Sequence, residues 1–226
     1  MAGIWIIFIA FAIVSWLVSN QLKRRFIEYS KIPTANGMSG REVAEKMLRD
    51  NRISGVSIGS VSGQLTDHYD PTKKTINLSE GVYNERNIAA AAVAAHECGH
   101  ALQHAQAYQW LGMRSSLVPV VSFSSKWMQW VLLAGILMVN TFPAILLLGI
   151  ALFAFTTLFS FITLPVEINA SNRALVWLKT SGITTSQTHE KAENALRWAG
   201  YTYVVAALGS LATLLYYIMI FMGRRD

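Results

Sequence analysis

The sequence predicts a mainly α, polytopic membrane protein of about four transmembrane helices, with a polar region of about a hundred residues that carries a small antiparallel sheet. Three observations predict it. Hydrophobic residues make up 53% of the chain and charged residues only 14%, too apolar for an ordinary soluble domain. The apolar residues fall in four blocks at 3–19, 117–139, 142–164 and 203–222, each long enough to cross a bilayer. Between the first two blocks the pattern changes to short alternating runs and amphipathic helix.

The first block is followed at once by Lys23-Arg24-Arg25. A cleaved signal peptide carries its positive charge before the apolar core and small residues after it, so residues 1–20 read as a retained anchor. Ser39-Gly40-Arg41-Glu42 fits a capping box, and Val43, Ala44, Met47 and Leu48 form one apolar face of a helix running to about residue 49. Runs at 56–61, 64–69 and 75–78, broken by Gly59, Gly63 and Asp70-Pro71-Thr72-Lys73, predict the antiparallel sheet. Such a sheet has a free edge, where an extended peptide can add as one more strand.

An alanine-rich helix follows from residue 88. In the second block Lys126 is costly at membrane depth, which places the helix start outside the bilayer with Trp127 and Trp130 at the interface. Asn140-Thr141-Phe142-Pro143 turns the second and third blocks into a hairpin, so that 21–116 forms one region and 117–164 the next. Pro165 lets the chain leave the membrane, a new amphipathic helix occupies 165–200, and 201–226 is the last span.

His96-Glu97-Cys98-Gly99-His100 spells H-E-x-x-H inside the alanine run. On a helix the two histidines stand on one face one turn apart, where both imidazoles can reach one Zn²⁺. Glu97 then lies beside the ion, placed to take a proton from a water and hand it to a leaving amine. The pentapeptide also arises on soluble helices whose histidines are merely solvated. Small neighbours and a glycine inside the motif, at a helix cost of about 1 kcal/mol, argue instead that another element packs close to this backbone. The polar region therefore reads as a zinc hydrolase domain of a peptidase.

A catalytic zinc needs a third protein ligand and an open position. His104 lies on the same helix, but one straight helix wraps three side chains around an ion poorly. Glu167, just past the third apolar block, is the better candidate, although a first-turn glutamate is also favoured by the helix dipole alone.

The strings Asp67-His68-Tyr69-Asp70-Pro71, Asn77-Leu78-Ser79-Glu80-Gly81-Val82-Tyr83, Ala94 to Gln103 around the motif, and Pro165-Val166-Glu167-Ile168-Asn169-Ala170-Ser171 together resemble the YugP-type neutral zinc metallopeptidases, small bacterial membrane proteins. More distantly the chain is similar to the HtpX and CAAX prenyl proteases, gluzincins that complete the site with a glutamate in an E-x-x-A-D context. The resemblance implies a zincin-like, cytosolic metallopeptidase domain with His96, His100 and Glu167 as ligands and Glu97 as base. The aspartate of that context is Ser171 here, a weaker orienting group for a ligand histidine; Asn172, Asp67 and Asp70 are candidates to replace it. His68 and Tyr69, with Arg173, are candidates to stabilise the oxyanion, although Asp-His-Tyr-Asp-Pro fits a self-bonded turn equally well.

Sixteen of the 19 basic residues lie between the first two spans or after the third, which marks that side as cytoplasmic in a bacterial plasma membrane; Arg224-Arg225 argue the other way more weakly. The lone cysteine, Cys98, fits a reducing compartment. The basic excess suits anionic lipid headgroups. No nucleic-acid motif is present. Expected partners are membrane lipids, a protein or peptide substrate, and a second copy or a membrane scaffold. The competing reading is a non-catalytic membrane subunit whose structural zinc is closed by Cys98 or His104; a cation transporter would need acidic residues or histidines within the spans, and they are lacking.

Overall fold

The computed structural model describes residues 2–223, with side chains from residue 5, so that Arg224-Arg225 and the first residues of the first apolar block lie outside the described side chains. Seven helices and three strands follow in the order α1 (Ala2–Tyr29), α2 (Gly40–Asp50), β1 (Ser57–Val61), β2 (His68–Asp70), β3 (Thr75–Ser79), α3 (Glu80–Tyr83), α4 (Ile88–Ala105), α5 (Gln109–Leu137), α6 (Pro143–Thr180) and α7 (Ser186–Met222). Four of these helices, α1, α5, α6 and α7, are long and apolar enough to cross a membrane. By internal packing the chain divides into two units, one of residues 1–17, 112–164 and 202–226, the other of residues 18–111 and 165–201.

The first unit is a bundle of apolar helix. Leu132 on α5 and Leu146 and Ile150 on α6 are buried against Met128, Phe153, Leu214 and Tyr217. The α5–α6 approach needs glycine, since a Cβ on Gly135 would stand 2.5 Å from the Leu146 Cα. Between α6 and α7 the Thr157 and Ser210 hydroxyls share a hydrogen bond of 2.7 Å, pairing two polar groups within an otherwise apolar bundle. Outward, Trp5, Phe8 and Trp16 on α1 and Phe123, Trp127, Trp130 and Leu137 on α5 are exposed, which is the surface hydrocarbon covers at least cost. Lys126 is exposed on α5 as well.

The second unit holds the polar residues and a core of its own. The capping box forms as the sequence predicts, with the Ser39 side chain accepting from Glu42 N and the Glu42 carboxylate from Ser39 N. Val43, Ala44, Met47 and Leu48 of α2 are buried against α4, where Ala89 through Ala92, Ala94 and Ala95 are buried too. Alanine side chains let α4 be packed from several directions at once, which a helix of larger residues would prevent.

The sheet is mixed, correcting the antiparallel expectation. β3 is central, parallel to β1 and antiparallel to β2, in the order β1-β3-β2. Alternation along each run predicts a strand but not the direction of its neighbour; that is set here by the connection across 62–67, which carries the chain past β3's place before it turns back. β2 is also shorter than expected, starting at His68. Ile76 and Leu78 of β3 point into the core, and the outer edges of β1 and β2 pair with no other strand among the described residues.

Pro165 does not end a helix. α6 runs through it to Thr180, and α7 begins at Ser186, so the predicted separate helix at 165–200 is the end of one helix and the start of another. A proline inside a helix costs about 3 kcal/mol. Against that, Val166, Ala170, Ala174 and Leu178, four residues apart, are all fully buried, an apolar stripe that only a continuous helix presents.

Candidate metal centre

Both histidines of the motif stand on the face of α4 that meets α6. The meeting is close because residue 99 is glycine: a Cβ there would lie 2.5 Å from the Ala170 carbonyl oxygen. Backbone thus approaches backbone inside the motif, as the sequence suggests, and Glu167, one turn before Ala170, is brought to the histidines. The His96 Nε2 lies 3.3 Å and the His100 Nε2 3.5 Å from the Glu167 Oε2. The two imidazoles stand edge to face, with ring centroids 4.8 Å apart. His100 and Glu167 are buried and His96 nearly so.

The donor set fits zinc. One ligand atom from each of His96, His100 and Glu167 lies within 4.8 Å of the others. Tetrahedral zinc with bonds of about 2.0–2.1 Å spaces its donor atoms about 3.4 Å apart, close to the two contacts above. Three protein donors of the types nitrogen, nitrogen and oxygen leave a fourth position for water or substrate, the pattern of catalytic sites.

Each histidine is oriented from behind. The His96 Nδ1 is 3.1 Å from the Ser171 hydroxyl, so serine itself occupies the orienting position where the resemblance leads one to look for aspartate. Asp67 is engaged elsewhere, accepting from the Ser79 backbone and hydroxyl, and Asp70 accepts from Thr72 N and Lys73 N in its own turn. The His100 Nδ1 is 3.1 Å from the Gln103 Oε1. Gln103 is fully buried, and its amide nitrogen donates to the Val166 carbonyl at 2.8 Å and the Asn169 side chain at 3.0 Å. With both donors used, its oxygen must accept; His100 therefore carries its proton on Nδ1 and leaves Nε2 free to bind a metal.

Gln103 escapes the sequence reading, although its place one turn beyond His100 on the same face is a signal that could have found it. Arg173, a candidate oxyanion donor, donates from Nε to Asn169 at 2.7 Å and from Nη1 to Gln106 at 2.5 Å, and stacks over Tyr108. It extends the Gln103–Asn169 network. Burial lowers the affinity of His100 for a second proton, but the charges of Glu167 and Glu97 and the bond to Gln103 outweigh it and raise the pKa.

Glu97 is buried next to the ligand face of α4. Cys98 faces the other way, its thiol against the Ala44 carbonyl at 3.6 Å, and burial followed by the Glu97 charge pushes its pKa up. His104 bonds through Nδ1 to the Tyr69 hydroxyl at 2.8 Å. His68 is held by the Thr66 carbonyl and by Asn77. The metal-ligating cluster found among the described residues consists of His96, His100 and Glu167, without Cys98, His104, His68 or Tyr69.

Residues 4–222 match the model of the family described as "Putative neutral zinc metallopeptidase". The chain is 41% identical over 213 residues, 94% of each chain, to a protein of Bacillus subtilis (strain 168) named "Putative membrane protease YugP". No solved structure matches it.

Proposed function

The chain belongs to the "Putative neutral zinc metallopeptidase" family, and on that premise we propose that it is a membrane-embedded zinc endopeptidase of the gluzincin type, an H-E-x-x-H pair completed by a glutamate. The observation that carries the reading is the His96–His100–Glu167 cluster, with each histidine backed through Nδ1. His96, His100 and Glu167 would hold a zinc ion, which would supply Lewis acidity toward a scissile carbonyl and a water near neutral pH. The remaining chemistry belongs to the chain. Glu97 takes the proton from the attacking water and delivers it to the leaving amine. Gln103 holds the His100 imidazole in one tautomer, and Ser171 and Gln103 hold the two rings in orientation. Burial of Glu167 and His100 excludes bulk water from the ligand side.

Glu167 follows the apolar stretch ending at Leu164 by three residues, which supports a site at the membrane surface. The basic residues support the cytoplasmic face of a multi-pass protein, with anionic headgroups beside Lys23-Arg24-Arg25. Substrates are then membrane proteins or membrane-associated peptides, and removal of damaged membrane proteins is the physiological role. A structural zinc would close its fourth position with Cys98 or His104, and both are engaged elsewhere.

Zinc content and proteolysis of an unfolded membrane protein, measured for the wild type and Glu97→Gln, test the reading. Both proteins should hold about one zinc. Only the wild type should cut, with the variant slower by about 10²–10⁴-fold. Equal cleavage by the two, or zinc bound with no cleavage by either, would overturn Glu97 as the base of a peptidase.

A further inference from the structure

Beyond the metal cluster, the second unit contains a cavity of about 140 Å³ between the sheet and α4. Its apolar walls are Ile53, Val56, Ala101 and Ala105; the Tyr69 ring and His104 form one side, and Lys74 and Ser54 stand at the mouth. Ser54, Lys74, His104 and Ala105 are exposed, so the cavity opens outward, while Ala101 is buried at its floor. The volume is close to the ~150 Å³ that accepts a benzene molecule in an apolar protein cavity, and well below that of a drug- or cofactor-sized site.

Position gives the cavity its meaning. Ala101 and His104 lie four and seven residues after Glu97, on the same face of α4. At 1.5 Å per residue they are about 6 and 10 Å along the helix from the base, or about two to three residues of an extended peptide. Tyr69 pairs with Ile76 across the sheet and so points to the same side, toward α4; it belongs to β2, whose outer edge is free to take another strand.

We propose that this cavity is the subsite that receives one bulky apolar side chain of the substrate, of leucine or phenylalanine size, within about three residues of the scissile bond. The proposal rests on the peptidase reading above. A side chain seated there buries its carbon against Ile53, Val56, Ala101 and Ala105, and the aliphatic stem of Lys74 closes over it while the ammonium stays in water. The Tyr69 hydroxyl and the His104 Nδ1 are already paired with each other, so an apolar guest strands neither atom.

The test uses the full chain in lipid nanodiscs and N-acetylated, C-amidated peptides that differ only at one residue X, taken as Ala, Leu, Phe or Asp. Cleavage, mapped by mass spectrometry, should favour Leu and Phe over Ala by about tenfold or more. Ala105→Trp, whose indole fills the cavity from its exposed lip, should erase or reverse that preference. An unchanged preference in Ala105→Trp overturns the assignment, and so does a preference for Asp, which would make Lys74 and His104 a carboxylate site. Titration of Glu97→Gln with the same peptides reads binding without turnover. Tighter binding of the Leu and Phe peptides, lost when Ala105→Trp is added, upholds the subsite even for a wild type that cuts nothing, in which case the peptidase reading alone fails. Equal binding of all four peptides removes the subsite whatever the activity.

Discussion

The seam between α4 and α6 and the edge of the sheet against the same α4 are built on opposite terms. At the seam, backbone meets backbone at Gly99, the polar groups of Gln103 are all partnered, and Glu167 is held within 3.5 Å of both histidines. At the edge, a short strand leaves a cavity, its polar residues other than Tyr69 are exposed, and the Tyr69–His104 bond lies near solvent. A metal site demands fixed donors, because a shift of a few tenths of an ångström costs coordination energy; a surface that accepts varied peptides demands room. On the proposed reading one helix would serve both, because its two faces differ in what packs on them.

The largest break in that contrast should come from Gly99→Val. Its side chain has nowhere to go at the seam, since the obstacle is the Ala170 carbonyl rather than a movable side chain. Overpacking of this kind costs about 3 kcal/mol, and if the helices part to relieve it the loss falls on the Glu167 contacts, lowering zinc affinity about 100-fold. Gly81→Val is the control, because a Cβ there meets nothing within 4 Å, and it should leave zinc affinity unchanged. Chelator competition on both variants decides it. Equal affinities would mean that the seam is not what assembles the site.

A finer division lies within the seam. Gln103→Leu strands the buried His100 Nδ1–H and removes the tie to Val166, so zinc affinity should drop about 10–100-fold. Ser171→Ala removes one bond at a half-buried position where water can replace the hydroxyl, and should cost under about tenfold. Paired zinc titrations of the two variants rank the supports. The opposite order would make His96, not His100, the better-held ligand.

How much of this is legible in the sequence depends on the distance over which each constraint acts. The H-E-x-x-H pair can be read because four residues are one helical turn, and Gly99 because a helix-breaking residue inside a helix signals a close neighbour. The apolar blocks can be read by length alone. Glu167 is placed only by its nearness to the third block, since its partners are 67 and 71 residues away in the chain. Gln103 is legible only in part: its place one turn beyond His100 is a local signal, but its amide answers to Val166 and Asn169, 63 and 66 residues on. Pro165 misleads because its local cost is real while the buried stripe that outweighs it exists only once α6 is packed. The direction of β1 misleads because a period of two marks a strand and says nothing of its neighbour.

The smallest expected effect is at the sheet edge. Tyr69→Phe removes the hydroxyl that meets the His104 Nδ1 and keeps the ring that walls the cavity. A hydrogen bond near solvent contributes about 0.5–1.5 kcal/mol, because water takes over both partners when it is lost. The variant should therefore unfold a few degrees earlier at most, hold zinc as the wild type does, and cut Leu and Phe peptides at rates within about threefold of wild type. Should it instead keep its zinc and lose kcat by a hundredfold or more with KM unchanged, the Tyr69 hydroxyl would be meeting the developing oxyanion in the transition state. The edge would then belong to the chemistry as well as to substrate fit, and the His104 bond would be its resting partner. Measuring kcat and KM separately for Tyr69→Phe and His104→Ala distinguishes these cases, since loss of a wall group weakens binding of bulky side chains while loss of an oxyanion donor slows the step itself.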